Sequence, residues 1–223
     1  MSEERWLTHL CFHGIGVPRR SLEDGEARYW IDRDALRWVL DLAAADPNVR
    51  VSFDDGNASD IEIGLEELLQ RGLRASFFPL AGRLNKAGSL GAADVRALAD
   101  AGMQIGSHGF HHRSWREMSD DELQTEFDEA RCVLADAAGG AINTAACPRG
   151  AYDRQVLRAL RRRDYTTVFT SDRASGRRGA WVQPRFSVRA IDKPADIQAH
   201  IDHRKSYVLR ATASARVLTK SLR

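Results

Sequence analysis

Two adjacent carboxylates carry the first chemical signal in the sequence. Asp54 and Asp55 follow an apolar run at residues 49–53 and precede Gly56. A bare Asp-Asp-Gly most often forms a turn, because Asp and Gly favour turns. In α/β barrels, however, catalytic groups gather where a strand ends and a loop begins. The pair is therefore a candidate catalytic element that needs support from another part of the chain.

That support comes from a second apolar run, residues 103–106, which leads into His108, His111 and His112. His108 and His112 are four residues apart, so in a helical turn both imidazoles would face one cation, with His111 as a competing partner. The alternative is a polar loop without a ligand role. One carboxylate and two histidines would leave coordination positions open, which lets a metal bind water and polarise a carbonyl oxygen. These residues together predict a hydrolytic metal site.

Strands and helices must position these groups. Along the sequence, short apolar runs alternate with segments in which apolar residues recur with helical period. This pattern predicts βα units around a parallel sheet or barrel. We expect strands at residues 6–12, 49–53, 75–78, 103–106, 144–147, 166–169 and 185–188. We expect helices at residues 34–45, 92–101 and 153–163, and candidate capping boxes at Ser59 with Glu62 and at Ser119 with Glu122. The prediction is an α/β fold, a distorted (β/α) barrel of about seven strands.

Length and composition favour a single catalytic domain. The chain has 223 residues, of which 43% are hydrophobic and 29% charged, as in ordinary soluble globular proteins. A barrel of this length forms one domain. We assign residues 1–203 to it and residues 204–223, which include basic but no acidic residues, to a basic C-terminal tail. A solvated tail is the simpler interpretation of this segment, and weak contact with acidic lipid head groups or with a glycan-assembly partner is the alternative.

Charge and terminal sequence narrow the function classes. The net charge of +2 results from 33 basic and 31 acidic residues, a balance that does not indicate a nucleic-acid partner. The first ten residues lack the basic leader and apolar run of a signal peptide, and no later stretch approaches the ~20 apolar residues of a membrane span. We therefore expect a cytoplasmic protein. The three scattered cysteines predict no disulfide framework.

The Ser-Phe-Asp-Asp-Gly run at residues 52–56, followed by the histidines, resembles the first two motifs of the polysaccharide deacetylase family of carbohydrate esterases. The resemblance spans about residues 7–188. It implies that Asp54 is the general base and that Asp55, His108 and His112 bind a divalent metal. Zinc is the first choice, and other first-row ions are alternatives. The implied reaction is removal of the acetyl group from an N-acetylated sugar or glycan precursor.

The general acid is the least direct assignment. Members of the family usually carry this histidine on a late strand, whereas His200 and His203 here lie in a polar stretch. His13, which follows the strand-like residues 7–12, resembles instead the amino-terminal histidine of bacterial poly-N-acetylglucosamine deacetylases, in which the order of barrel elements is circularly permuted. The resemblance implies that His13 is the acid, and a strand-end histidine without a catalytic role is the alternative.

A third motif is partly present at residues 147–152, which resemble the Pro-Tyr-Gly loop of the family with Arg149 in place of the aromatic residue. Because that loop lines the substrate groove in the family, the change leaves the substrate geometry open. The resemblance implies substrate binding by this loop, through Pro148, Arg149, Gly150 and Tyr152.

Two further residues, Asp172 and Arg185, resemble positions that orient the base in the family, although Asp and Arg are most often surface residues. The expected partner is an N-acetylated carbohydrate, with no nucleic acid. Two other functions stay open, since motifs specify a reaction centre better than a substrate: a hydrolase for non-sugar amides, and an inactive barrel that only binds carbohydrate. The sequence leaves the sugar and the oligomeric state undetermined.

Overall fold

The structure is a computed structural model that describes residues 6–204, 206 and 219–220. Its strands are β1 (Trp6–Phe12), β2 (Gly14–Ile15), β3 (Trp30–Ile31), β4 (Val49–Asp55), β5 (Ala75–Pro79), β6 (Gln104–Ile105), β7 (Thr144–Ala146), β8 (Thr167–Thr170), β9 (Gly176–Arg177), β10 (Val182–Pro184) and β11 (Phe186–Ser187). Its helices are α1 (Arg33–Ala44), α2 (Leu65–Gln70), α3 (Ala92–Asp100), α4 (Asp120–Leu123), α5 (Ala130–Ala138), α6 (Arg154–Arg162) and α7 (Pro194–His203). Two π-helical segments, Asp60–Gly64 and Gln124–Glu129, lead into α2 and α5.

Parallel pairing dominates the sheets. One sheet has the order β11-β1-β4-β5-β6, with β9 antiparallel to β1, and a second has the order β10-β8-β7. A single parallel bridge between Ser107 and Ala145 joins the end of β6 to β7. At its other edge, the second sheet is followed directly along the chain by β11 of the first, since Arg185 alone separates β10 from β11 and its amide donates to the carbonyl oxygen of Thr170 in β8 at 2.9 Å. The two sheets are thus neighbours at both places.

The predicted α/β fold is confirmed, but the barrel is not confirmed in the form expected. The described residues form three sheets, the third being the β2–β3 pair, and no closed barrel. The strand count of about seven is not confirmed either. The physical reason is that β6 and β11 are only two residues long, so the backbone ladder is interrupted at both places where the sheets meet.

The central strand β4 explains how the sheet presents its chemical groups. Its residues pair with β1 on one side and β5 on the other, for example Val51 with Leu10 and with Ala75. Side chains alternate between the two faces of a strand. Val51 and Phe53 therefore join the core beneath the helices, whereas Ser52 and Asp54 lie on the opposite face and are also buried.

Helix starts follow local capping in most cases. Asp32 caps α1 by accepting from the amide of Ala35 at 2.6 Å. The predicted capping box of Ser119 and Glu122 is confirmed. The box predicted at Ser59 is wrong, because the Ser59 hydroxyl accepts from the amide of Ile15 instead and the next turn is π-helical. The three predicted longer helices correspond to α1, α3 and α6 within one residue at each end.

The C-terminal predictions are mostly beyond what the structure describes. The basic tail was assigned to residues 204–223, and apart from 204, 206 and 219–220 that segment lies outside the described residues. Its proposed contact with lipid head groups, and the domain boundary before it, stay predictions. Within the described part of the chain, no helix combines the length and apolar character needed to cross a membrane.

Candidate metal and catalytic site

The carboxyl ends of β4 and β6 bring the predicted carboxylates and histidines together. Asp54 and Asp55 are the last two residues of β4, two positions beyond the predicted end of that strand. His108 follows β6, and its amide donates to the carbonyl oxygen of Pro79 at the end of β5. Since parallel strands end at one edge of a sheet, their loops meet there. All three residues, with His112, line one cavity.

Asp55, His108 and His112 form a group with the geometry of a metal site. Their ligand atoms all lie within 4.8 Å of one another. Asp55 Oδ1 is 3.6 Å from His108 Nε2 and 3.5 Å from His112 Nε2. A cation held at about 2.1 Å with tetrahedral angles would separate its ligand atoms by about 3.4 Å. The residues present therefore fit a bound divalent cation.

The carboxylate of Asp55 supports the same interpretation. Both of its oxygens are buried and have no hydrogen-bond partner among the described residues. A buried carboxylate without partners is costly, and a cation would satisfy it. Asp55 also adopts a φ of 74°, a left-handed conformation that is uncommon outside glycine. Such backbone conformations occur often at functional sites.

Hydrogen bonds on the far side of each imidazole set its metal-binding tautomer. His108 Nδ1 lies 2.8 Å from the carbonyl oxygen of Ala146, and His112 Nδ1 lies 2.8 Å from Glu23 Oε2. An Nδ1–H that donates to an oxygen leaves the Nε2 lone pair free for a cation. Burial lowers the pKa of His108 to about 4, so this imidazole is neutral at pH 7.

The histidine segment reaches this geometry as a loop, which corrects the expected helical turn. Gly109 has a φ of 85° and His112 a φ of 58°, both left-handed. A Cβ at Gly109 would lie 2.4 Å from Glu126 Oε2, so only glycine fits there. The buried Glu126 carboxylate accepts from the backbone amides of Phe110 and His111 and from the Trp115 indole. Glu126 thus stabilises the loop through hydrogen bonds to its backbone amides and to Trp115.

His111 does not compete for the cation. Its Nδ1 lies 3.0 Å from Glu126 Oε1, and its side chain is 53% exposed. It is absent from the group formed by Asp55, His108 and His112. Of the three histidines in the segment, the two four residues apart face Asp55, although they do so from a loop and not from the expected helical turn.

Asp54 is bound mainly by Arg185, and its Oδ2 also lies 3.9 Å from His108 Nε2 of the metal-site group. Arg185 donates to both carboxylate oxygens of Asp54 at 2.7 Å and to Ser52 Oγ at 3.0 Å. Burial acts to raise the pKa of Asp54, but the adjacent guanidinium outweighs it and holds the pKa below its ordinary value. Asp54 is therefore ionised at neutral pH, with a proton-accepting oxygen beside the site.

A second group of metal-binding residue types, Cys11, His13 and Asp54, also has ligand atoms within 4.8 Å of one another. Burial raises the pKa of the Cys11 thiol well above its ordinary value, so the thiolate that binds metals is not formed at neutral pH. Arg185 already neutralises Asp54. The chemistry of the two groups therefore favours a cation at Asp55.

His13 lines the same cavity as Asp54 and Asp55. Its ring stacks on Tyr29, with ring centroids 4.7 Å apart and an interplanar angle of 25°. Its Nδ1 is buried and has no hydrogen-bond partner among the described residues. The other histidines considered for the acid lie elsewhere: His200 and His203 are on α7, where His200 packs against Phe186.

The third-motif loop contributes two of its four predicted residues to the cavity. Arg149 and Gly150 line it. Pro148 and Tyr152 are buried and do not line this cavity, and Tyr152 lines a neighbouring cavity with Gly150. Their contact with substrate stays a prediction. Arg149, between them, has a left-handed φ of 56° and an exposed side chain.

Asp172 has a different position from the one expected. Its Oδ2 accepts from the Tyr152 hydroxyl at 2.7 Å and from the Thr170 hydroxyl at 2.8 Å. Those bonds direct the carboxylate toward the third-motif loop, and none of them joins it to Asp54. Of the two residues expected to orient the base, only Arg185 contacts it directly.

Two carboxylates at the site escaped the sequence analysis. Glu126 had a detectable signal, because it is a charged residue on the apolar face defined by Leu123, Phe127 and Ala130. Glu23 had none, since it precedes its partner His112 by 89 positions and lies between two short strands, β2 and β3, that were not predicted.

Comparison with known proteins gives a family match. The family model for polysaccharide deacetylase matches residues 42–168. The chain is 27% identical over 119 residues to the peptidoglycan-N-acetylglucosamine deacetylase PgdA of Listeria monocytogenes, covering 53% of this chain and 25% of PgdA. It is 32% identical over 78 residues to the peptidoglycan-N-acetylmuramic acid deacetylase PdaA of Bacillus subtilis, covering 34% and 30%. The alignments thus span less than a third of either relative.

Solved structures show the same fold over most of the chain. The deacetylase PplD of Streptococcus pyogenes superimposes with a TM-score of 0.76 at 17% identity, covering 88% of this chain and 98% of PplD. IcaB from Ammonifex degensii superimposes with a TM-score of 0.70 at 20% identity, covering 88% and 97%. The family model covers more than half of the residues and includes the carboxylate pair and both site histidines. The chain therefore belongs to the polysaccharide deacetylase family.

Proposed function

We propose that the protein is a metal-dependent hydrolase that removes acetyl groups from an N-acetylated sugar or glycan. The observation that carries this proposal is the convergence of Asp55, His108 and His112 on one point beside an ionised Asp54. The family match supports the substrate class. So do the two relatives described above, which are named as peptidoglycan deacetylases.

The site would hold a divalent cation through Asp55 Oδ1, His108 Nε2 and His112 Nε2. When bound, such a cation supplies Lewis-acid activation of the acetamide carbonyl and of water. Zinc is our first choice, because two imidazoles and a carboxylate suit it, and the same set accepts other first-row ions.

Asp54 would act as the general base. Water adds to the acetamide carbon while an Asp54 oxygen takes its proton, and Arg185 keeps that carboxylate ionised and fixed in orientation. The bond between carbon and nitrogen then breaks, and His13, in its protonated form, gives a proton to the departing amine. The products are acetate and a free amino sugar.

The cavity indicates how much of the substrate is enclosed. Its volume is about 220 Å³, and its lining includes Arg149, Gly150, Tyr29 and Arg28 beside the charged centre. Pockets that enclose a whole drug-sized ligand measure about 300–1,000 Å³. We therefore expect the cavity to take the acetamido group and part of one sugar, with the rest of a glycan outside.

The direct test is acetate release from N-acetylated glycans. The metal-loaded protein would be incubated with N-acetylglucosamine oligomers, peptidoglycan fragments and a non-sugar acetamide, with Asp54→Asn as the inactive control. We expect acetate from at least one glycan and none from the control. Loss of release on chelation and its return with added zinc would support metal dependence. Failure on every glycan with a loaded site would overturn the proposal, and cleavage of the non-sugar amide alone would replace the substrate class.

A further inference from the structure

Glu23 occupies a central position at the site although it belongs to none of the motifs. It lies in the loop between β2 and β3, and its side chain is 33% exposed. Oε2 lies 2.8 Å from His112 Nδ1 and 3.0 Å from Arg149 Nη2. Oε1 accepts from Arg83. One carboxylate thus contacts a metal-site histidine and a cation of the third-motif loop with the same oxygen.

The bond to His112 has a direct consequence for metal binding. A carboxylate that accepts from Nδ1–H places the proton there, orients the ring and raises the basicity of Nε2. His112 needs this support more than His108, which bonds a backbone carbonyl oxygen and is 2% exposed against 12% for His112. His112 also has a left-handed φ of 58°, so its backbone alone does not favour its position.

The remaining contacts of Glu23 anchor both its side chain and its backbone. Arg83 holds Oε1, which leaves Oε2 directed toward the site. Glu23 also donates its backbone amide to Glu26 at 2.8 Å, and Glu26 pairs with Arg20. The β2–β3 loop is therefore anchored on both sides of the carboxylate. A carboxylate held this way loses little conformational entropy when it binds its partners.

The pair of Glu23 with Arg149 accounts for the altered third motif. Arg149 stands where the resembling loop of the family has an aromatic residue, and its guanidinium donates to Glu23 at 3.0 Å. Both residues line the cavity. The arginine is therefore not an isolated change in the loop, because its charge is matched by a carboxylate that also touches the metal site.

We propose that Glu23 is a positioning residue that aligns His112 for the metal and, with the same oxygen, holds Arg149 at the cavity. The inference rests on the proposed function, since it takes His112 to be a ligand. Metal affinity should therefore depend on Glu23, whereas Arg149 should affect the use of substrate and leave metal affinity nearly unchanged.

The test measures the zinc Kd of the whole protein by competition with a chelating dye, without substrate. Glu23→Ala removes the bond to His112, and we expect the Kd to rise about 10–100-fold. Glu23→Gln keeps the shape and a neutral acceptor, so we expect a smaller rise. Asp24→Asn is the matched control, because it removes the same charge from the adjacent residue, which also lines the cavity, without a contact to His112. We expect its Kd within about 2-fold of the parent value.

Two further variants separate positioning from loop anchoring. Arg83→Met removes the anchor of Oε1 and leaves the His112 bond, and Arg149→Met removes the substrate-side partner. We expect the zinc Kd of Arg83→Met to rise less than that of Glu23→Ala, because the His112 bond can still form without the anchor. For Arg149→Met we expect a nearly unchanged zinc Kd and a raised KM. Equal zinc Kd values in Glu23→Ala, Glu23→Gln and the parent, all folded by circular dichroism, would overturn the proposal. So would a Kd in Asp24→Asn raised as much as in Glu23→Ala.

The readout is independent of the reaction. A Kd that rises in Glu23→Ala while no glycan releases acetate would support the role of Glu23 and overturn only the proposed function. If the parent protein releases acetate but its zinc Kd is unchanged in Glu23→Ala, the proposed function would be supported and the role of Glu23 would be overturned.

Discussion

Arg185 donates one hydrogen bond to each carboxylate oxygen of Asp54, both at 2.7 Å, although the two residues lie 131 positions apart in the chain. Both side chains are buried. A planar guanidinium and a carboxylate match in this two-bond geometry, which fixes orientation as well as charge. Without the arginine, burial would favour the neutral acid at Asp54.

The first prediction concerns this pair. Arg185→Met should raise the pKa of Asp54, because the guanidinium that lowers it is lost while burial stays. Activity that needs ionised Asp54 would then disappear at a higher pH, so the acid limb of the kcat/KM profile should move upward. Arg185→Lys keeps a charge without the two-bond geometry and should move it less. An acid limb at the parent position in a folded Arg185→Met variant would contradict the prediction.

The second prediction separates the base from the metal ligands. Asp54→Asn deletes a proton acceptor while keeping the side-chain shape, so turnover should fall by about 10²–10⁴-fold. Bound zinc, measured by elemental analysis, should stay at the parent level, since Asp54 is held by Arg185. A variant with near-parent acetate release would move the base to another residue.

The third prediction concerns the ligands. Asp55→Asn and His108→Ala should lose bound metal and activity together while retaining the fold, because the site lies at the ends of strands. Asn is chosen at position 55 because it tolerates the φ of 74°. His111→Ala is the control, since His111 contacts Glu126 and not Asp55. Full metal occupancy in both ligand variants would contradict the assignment of Asp55 and His108 as metal ligands.

The fourth prediction concerns His13. If it protonates the departing amine, His13→Ala should lower turnover by about 10²–10⁴-fold and leave the zinc Kd nearly unchanged. The loss should be largest for poor leaving groups and small for a substrate whose amine departs without a proton. A purely structural histidine would affect both substrates alike, and parental rates on acetamido sugars would place the acid elsewhere.

The fifth prediction concerns stability at low pH. Glu67 is fully buried and accepts from Arg33, Arg37 and Arg71. Burial acts to raise its pKa, but the three arginines lower it from 4.5 to about 2. A pKa lowered by folding contributes stability above the unfolded value, and that stability is lost as the pH falls from about 4.5 toward 2.

The measurement for Glu67 compares melting temperatures of Glu67→Gln and the parent at several pH values. The difference should be largest near pH 7 and should shrink below about pH 4.5. Glu66→Gln, which removes an exposed partner of Arg33, should show a small difference throughout. A gap between Glu67→Gln and the parent that is constant from pH 7 to pH 3 would contradict the assignment.

Local sequence pattern was enough to predict the strand that delivers the carboxylate pair. The apolar run before Asp54 and Asp55 predicted a strand, and β4 ends at Asp55. The spacing of His108 and His112 predicted two imidazoles facing one cation from a helical turn. Both lie within 3.6 Å of Asp55 Oδ1, but they reach it from a loop with left-handed residues, and their role as ligands stays a prediction. The strand could be predicted because its period is a property of neighbouring residues.

The contacts that hold these groups depend on the tertiary fold. The fold brings Arg185 to Asp54 and Asp172 to Tyr152, although both residues resemble positions that orient the base. It also brought Glu23 to His112 across 89 positions. The physical reason is that a charged side chain can pair with any opposite charge the fold brings within about 4 Å. Which partner comes that close depends on sheet order and loop paths, and no local pattern in the sequence encodes those.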